Sequence, residues 1–386
     1  MPDVHAFLSA SSSSRWLHCT RSAKLNARAP DQNSSFAQEG TNAHAYCAYL
    51  LEKGLGRKSR DPTEDLTYFN PEMQEAAEGY AAFVLEQAED LKKTCPDTMV
   101  MVEQCLDYSR WVPEGFGTGD AVIVSDDVLH IIDMKYGVGV LVTASGEDGK
   151  SNTQLLCYAL GALDTFGMLY DIKNVRLTIY QPRRENVDTF ELSREELLAW
   201  AEEVLKPKAS LAYEGKGDFE AGPCCRFCKV KATCRKRAEE NLKLAQKDFE
   251  PPELLDNNEI AEILPQIDDL VTWADDVKKF ALQEALKGKH FPGFKVVEGR
   301  SVRKYTDENA AAKAVSDAGY DPYEKKILGI TAMTKELGKV RFNELLGGLV
   351  YKPPGKPVLV PDSDKRPEYS SAADDFNDNM EEQDYE

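Results

Sequence analysis

The sequence predicts an α/β fold, and three observations carry that expectation. Apolar residues recur at helical spacing in two segments near the start of the chain. Short runs rich in Val, Ile and Tyr then crowd residues 99–134. After them, helical and strand patterns alternate up to about residue 212. Helices that alternate with strands pack on a shared sheet.

Residues 1–38 are Ser-rich and irregular apart from "SSSSRWLHC". From Glu39, "EGTNAHAYCAYLLEKGLG" has helical spacing and is stopped by Gly54 and Gly56. Residues 71–93 predict a second amphipathic helix, with Pro71 suited to its first turn. Residues 99–111, 118–125 and 128–134 predict a strand meander. A helix over "SNTQLLCYALGALDTFG", a strand over "VRLTIYQPR" ended by Pro182, and a helix over 193–212 follow. A cysteine-rich stretch fills 224–234, and a charged helix runs on to about 246. Beyond Pro251 and Pro252 the pattern is helical over 253–288, with a short strand or hairpin at "GFKVVEGRSVRKYT". Two short helices are expected near 307–318 and 333–346. From about 362 the chain is dense in Asp and Glu and poor in apolar residues, which predicts a disordered acidic tail. These shifts divide the chain into 1–248, a mainly helical region at 253–360, and the tail at 361–386.

A chain of 386 residues suits two or three domains, and 42% apolar content supports a sizeable core. A net charge of −19 excludes a global basic field, so nucleic-acid binding would need a local basic surface. The start lacks the apolar core of a secretory signal, and no apolar run reaches membrane-spanning length. The expectation is a cytoplasmic protein without a membrane partner. In that setting nine cysteines point to metal binding or catalysis rather than a disulfide framework.

The chemistry begins at "GTGDAVIVSDDVLHIIDMKYG". With Asp126 and Asp127 as a two-residue hairpin loop, Ser125 faces Val128 and Asp120 faces Asp133. Opposed side chains have Cβ atoms about 4.5–5.5 Å apart, and Lys135 shares the face of Asp133. Two opposed carboxylates repel unless a cation lies between them. Mg²⁺ takes one or two carboxylates with waters and phosphate oxygens, and a lysine can orient water or neutralise phosphate charge. The alternative is a hairpin with exposed charges at its edge.

"GTGDAVIV…LHIIDMKYG" resembles the core of the PD-(D/E)xK nuclease superfamily, in its RecB-like branch. That resemblance implies a restriction-endonuclease-like mixed sheet flanked by helices. Asp120, Asp133 and Lys135 would then be the catalytic set, with Gly119 where the superfamily name has proline. "QEGTNAHAYCAYL" resembles the branch's helical motif, which makes His44 a metal ligand beside Asp120 and Asp133. "QLLCYALGA" resembles its Q-x3-Y helix, so Gln154 and Tyr158 would face the site or the DNA strand. Glu103, on the first strand of the meander, is a further candidate carboxylate.

"PCCRFCKVKATCRKRAE" sets Cys225, Cys228 and Cys234 at metal-ligand spacing, one short of a four-thiolate set. Cys19, in "RWLHCTRS", is the candidate for the fourth, and Cys224 competes with Cys225. The iron–sulfur exonucleases of the RecB-like branch carry one cysteine before the core and three after it. The resemblance therefore implies a 4Fe–4S cluster acting as a staple, with structural zinc as the alternative. Arg226, Lys229, Lys231, Arg235, Lys236 and Arg237 surround the cysteines as either a phosphate-binding surface or a solvated helix face. Arg300, Arg303 and Lys304 are further candidates for DNA contact.

The whole length also resembles a phage and prophage family known only as a domain of unknown function. Together these resemblances imply a metal-dependent DNA exonuclease that uses Mg²⁺ or Mn²⁺ on DNA with free ends. Recombination, replication or repair would be its setting, with a replication or recombination partner held by the tail. Two alternatives stand beside it: a non-catalytic DNA-binding or recombination-accessory protein, and a phage protein that binds a host factor through its tail.

Overall fold

A computed structural model describes residues 6–30, 35–145, 151–246, 257–298, 305–323 and 327–351. The Pro251–Pro252 step, Arg300, Arg303, Lys304 and the acidic tail lie outside the described residues. The chain divides into two units, Met1–Val297 and Glu298–Glu386. Among the described residues no helix is long and apolar enough to cross a membrane.

The first unit is a five-stranded mixed sheet with helices on both faces. Its strands are β1 (Met99–Asp107), β2 (Phe116–Val124), β3 (Asp127–Met134), β4 (Ile172–Gln181) and β5 (Asn186–Ser193), paired in that order. All neighbours are antiparallel except β3 and β4, which run parallel. A parallel pair needs a long crossover. Here it contains α5 (Thr153–Phe166), whose N-cap Asn152 accepts from the backbone N–H of Gln154 and Leu155.

The hairpin register agrees with the sequence reading as far as the ladder runs. Val124 pairs with Leu129 and Ala121 with Ile132, and Ser125 N–H donates to Val128 at 3.0 Å. Asp127 takes the positive φ of 75° that the tight turn requires, which aspartate tolerates better than most residues. Alternation then sorts the strands between two cores. Val122, Val124, Leu129 and Ile131 pack with α5, while Ala121, Ile123, Ile132 and Met134 join the other core. That second core holds α3 (Ser35–Gly54) and α4 (Pro71–Lys92). Asn70 caps α4 by accepting from Met73 N–H, with Pro71 in its first turn as expected.

Two elements differ from the sequence expectations. The exempted stretch "SSSSRWLHC" forms α1 (Ser13–His18), with Trp16 fully buried in the α5 core, but the residues after it are not irregular: they form α2 (Ser22–Arg28). Helices this short carry no legible period and are held by tertiary packing. The strand β5 had no counterpart in the reading, because an edge strand with Asn, Asp and Glu lacks a clear apolar alternation. Its end, Ser193, starts a capping box with Glu196. From there α6 (Arg194–Trp200), a π-turn at Ala201–Leu205 and α7 (Lys206–Glu214) run on without a break.

Further along, α8 (Arg235–Gln246) follows the cysteines and α9 (Asn257–Leu286) is a single helix containing Pro265. The hairpin expected from Gly293 is not seen in its described part: residues 293–298 hold no strand. The second unit contains α10 (Glu308–Asp317), α11 (Ile330–Leu337) and α12 (Lys339–Leu346), close to the expected short helices.

Candidate functional site

The β2–β3 ladder stops at Ala121 and Ile132, one pair before Asp120 and Asp133 would meet. Asp120 occupies the opening. Its Oδ2 accepts from Met134 N–H at 2.7 Å, so the carboxylate takes over where backbone pairing ends. The ladder between β1 and β2 opens at the same level. Val102 pairs with Ala121 and Gln104 with Gly119, but Glu103 and Asp120 are skipped while the register continues. Glu103 sits there at φ 48°, a left-handed conformation that costs a non-glycine residue about 1–3 kcal/mol.

That distortion completes a cluster. Ligand atoms of His44, Glu103 and Asp120 all lie within 4.8 Å of one another. His44 comes from α3, and its Nδ1 is 3.1 Å from Asp120 Oδ1. Burial opposes charge on His44, yet Asp120 outweighs it and pushes the imidazole up to about 9. Burial also acts against the Asp120 carboxylate, but the His44 pair holds it below its ordinary range. Glu103 is pushed up to about 7 by burial and then by the charge of Asp120.

Asp133 belongs to an adjoining string. Its Oδ2 is 2.8 Å from Lys135 Nζ, and its Oδ1 accepts from Gln154 Nε2 at 3.0 Å. Lys135 Nζ donates to Gln154 Oε1 at 3.1 Å, and Gln154 Nε2 reaches Tyr158 OH at 3.1 Å. Gln154 and Tyr158 therefore both face the carboxylates from α5. Tyr158 also fixes Gly117, where a Cβ would stand 2.8 Å from its ring. Burial raises the Asp133 carboxyl, and Lys135 only partly offsets it. From the opposite helical layer, the buried Tyr80 hydroxyl has no hydrogen-bond partner among the described residues and lies in the field of Asp120 and Asp133.

All five residues expected at the acidic site and His44 thus gather at one end of β2 and β3. Glu103 joins His44 and Asp120 in the tight trio, a place the reading had left to Asp133. Among the described residues no other such trio of His, Cys, Asp or Glu is found. The donor set is hard oxygen with one imidazole, which suits Mg²⁺ or Mn²⁺. The buried Asp133 and the half-buried Glu103, both with raised proton affinity, are groups that a divalent cation would relieve.

The cysteines converge elsewhere. Cys19, Cys224, Cys225, Cys228 and Cys234 line one cavity with Arg15, Ser22 and Lys231. Cys19 closes α1; Cys224 and Cys225 lie in the turn Pro223–Phe227; Cys234 precedes α8. A hydrogen bond from Cys224 pulls the Cys225 thiol down to about 6, so Cys225 is the more thiolate-like of the two. Asn26, which the reading missed, donates to Cys228 Sγ at 3.2 Å and accepts from Lys229 N–H at 2.7 Å. No sequence spacing marks it, since the partners are 202 residues apart. Four or more thiols beside the half-buried Arg15 guanidinium fit an anionic metal–thiolate centre.

The basic surface expected around the cysteines is smaller than its count. Asp276 of α9 lies 3.0 Å from Lys231 Nζ and 2.7 Å from Arg237 Nη1. Arg237 is buried, and Lys236 pairs with Glu240. Arg226 and Arg235 remain exposed.

The chain belongs to the family described as "Protein of unknown function (DUF2800)", which matches residues 5–367. Among solved structures, "Crystal structure of SSO0001" is similar at 12% identity, over 50% of this chain and 95% of that one, with a TM-score of 0.22. A likeness that weak assigns no fold.

Proposed function

We propose that this DUF2800 chain is a metal-dependent DNA nuclease, with an exonuclease the favoured form, built on a PD-(D/E)xK-type core. The observation that carries the reading is the meeting of His44, Glu103 and Asp120 with the Asp133–Lys135–Gln154 string at the open end of β2 and β3. The order of elements supports it: a helix, three antiparallel strands, a crossover helix and a parallel strand. That order puts the ends of β2 and β3 and the start of α5 at one place, as the resemblance implies.

His44, Asp120 and Asp133 would hold Mg²⁺ or Mn²⁺, with Glu103 as a further ligand. A bound divalent cation supplies charge for the scissile phosphate and an acidified water. The protein's own part is positional. Gln154 bridges the Asp133 carboxylate and the Lys135 ammonium, so it holds both in one orientation. Lys135 places a positive charge where a pentavalent phosphate would develop negative charge.

The cysteine cavity would hold a 4Fe–4S cluster on Cys19, Cys225, Cys228 and Cys234, a structural tie between the N-terminal helices and the segment before α8. Structural zinc on the same thiolates is the second reading, since sites of four cysteines suit both metals.

The test is cleavage of end-labelled single- and double-stranded DNA by anaerobically purified protein with Mn²⁺ or Mg²⁺. Metal-dependent loss of label that disappears in Asp133→Ala supports the proposal. Identical DNA binding and no cleavage by either protein would falsify it.

A further inference from the structure

Lys135 and Gln154 are the two ends of one connection, and its first part, residues 137–145, is fastened from below. Gln181, buried in β4, donates to Gly137 O at 2.7 Å and Val140 O at 2.8 Å. Its Oε1 accepts from Val142 N–H at 3.1 Å. Asn186 Nδ2 donates to Val142 O, and Asp188 accepts from the N–H groups of Ala144 and Ser145. A loop whose backbone is pinned by this many part-buried bonds holds a fixed path. The side chains it presents outward are aliphatic: Val138 is 44% exposed and Leu141 53%.

Two guanidinium groups close on the same stretch. Arg184 Nη1 donates to Val138 O at 2.6 Å, and Arg226 Nη2 to Gly139 O at 3.4 Å. Both arginines are exposed. Arg226 in turn lies over the Phe227 ring, 5.9 Å from its centroid, and that ring is 69% exposed. None of Val138, Leu141, Arg184 or Phe227 is used by the proposed hydrolysis or by the cysteine cavity.

We propose that Val138, Leu141, Arg184, Arg226 and Phe227 form a binding ledge for single-stranded nucleic acid leading into the acidic site. The identity of the ligand rests on the nuclease reading; the ledge itself rests on the geometry. An open aromatic face backed by arginine is the arrangement on which unpaired bases stack without regard to sequence. Two exposed guanidinium groups bonded to neighbouring residues of the loop suit phosphate contacts. The aliphatic pair suits base faces and sugars rather than a phosphate backbone. A duplex offers its phosphates outward and keeps its base faces stacked, so it would leave Phe227, Val138 and Leu141 unused. The ledge also gathers two exposed guanidinium groups on the loop that starts just after Lys135, a local positive charge in a chain whose net charge is −19.

The experiment is fluorescence anisotropy of labelled dT20 and of a 20-base-pair blunt duplex against the full chain, without added divalent cation. Wild type should bind dT20 more tightly than the duplex. Phe227→Ala should weaken dT20 binding about fivefold or more. Arg184→Gln and Arg226→Gln should each lower the salt slope by about 0.7. Visible absorbance and metal content show whether Phe227→Ala keeps the cysteine centre. Should it not, the Val138→Asp/Leu141→Asp pair, remote from the cysteines in sequence, asks the same question and should also weaken dT20. Equal binding by wild type and variants, a preference for the duplex, or no dT20 binding at low salt overturns the ledge. Ledge-dependent binding without cleavage in Mn²⁺ leaves the ledge standing and sinks the nuclease. Cleavage that ignores all these variants does the reverse.

Discussion

The acidic site and the cysteine cavity gather their side chains by opposite means. The acidic site draws on regular elements: His44 on α3, Glu103 on β1, Asp120 on β2, Asp133 on β3 and Gln154 on α5. Its geometry follows from strand register and helix period. The cysteine cavity draws on element ends and turns, from the end of α1 to the start of α8. Its pieces are joined by scattered pins such as Asn26 and Asp276. A site on rigid elements spends the fold's stability on holding like charges together. A site on turns leaves the fold in need of whatever fills it.

Five substitutions sharpen or break that contrast, ordered from the largest expected effect to the smallest, with Asp120→Ala set beside Cys234→Ser as its counterpart. Lys135→Met should lower the cleavage rate about 10²–10⁴-fold while DNA binding changes little. It also leaves Asp133 buried without its cation, so the metal-free protein should lose a few kcal/mol in a urea titration. A variant that cleaves like wild type would remove Lys135 from the chemistry.

Cys234→Ser comes next. It should empty the cysteine cavity of metal by elemental analysis and lower the melting temperature by roughly 10 °C. Asp120→Ala, in contrast, should abolish cleavage and leave the metal content of the cysteine cavity untouched. An equal effect of both substitutions on both readouts would mean that the two centres fold as one.

Glu103→Gln carries a pH signature. The wild-type carboxyl has a folded value of about 7, above its ordinary value of 4.5. Below about 4.5 it is protonated in both states and costs nothing. Between about 4.5 and 7 the unfolded chain ionises while the folded chain resists, so metal-free stability falls across that window and then levels. Glu103→Gln should flatten the fall and gain about 1–3 kcal/mol at pH 8. The same change should weaken Mn²⁺ binding by calorimetry. A variant less stable than wild type at pH 8 without metal would show that Glu103 is not a strained, repelled ligand. In the wild type, Mn²⁺ affinity should climb from pH 6 to 9, because the ion displaces protons from Glu103 and from His44, whose value is about 9.

Asn26→Ala is the smallest. Losing its bonds to Cys228 and Lys229 should cost about 1–3 kcal/mol of stability and leave cleavage unchanged. Cleavage that falls with it would tie the cysteine cavity to the acidic site.

The part of this protein legible in its sequence is the part governed by short-range periodicity. A two-residue turn and the period of two along a strand set the β2–β3 register, which the structure follows from Ser125 to Ala121. A spacing of four puts Gln154 and Tyr158 on one helix face, where they meet. The short N-terminal helices and the edge strand β5 escaped because their apolar pattern is too brief or one-sided.

By itself, then, the sequence determined the α/β alternation, the hairpin that carries Asp120 and Asp133, and the spacing of the three clustered cysteines. Only the tertiary structure decided that the ladders open at Asp120, and that Glu103 turns left-handed to meet His44. It alone decided that Asn26 reaches Cys228 and that Arg184 and Arg226 both donate to the loop after Lys135. These are contacts between residues far apart in the chain. Long-range packing enforces their geometry against local preference, so no local pattern announces them.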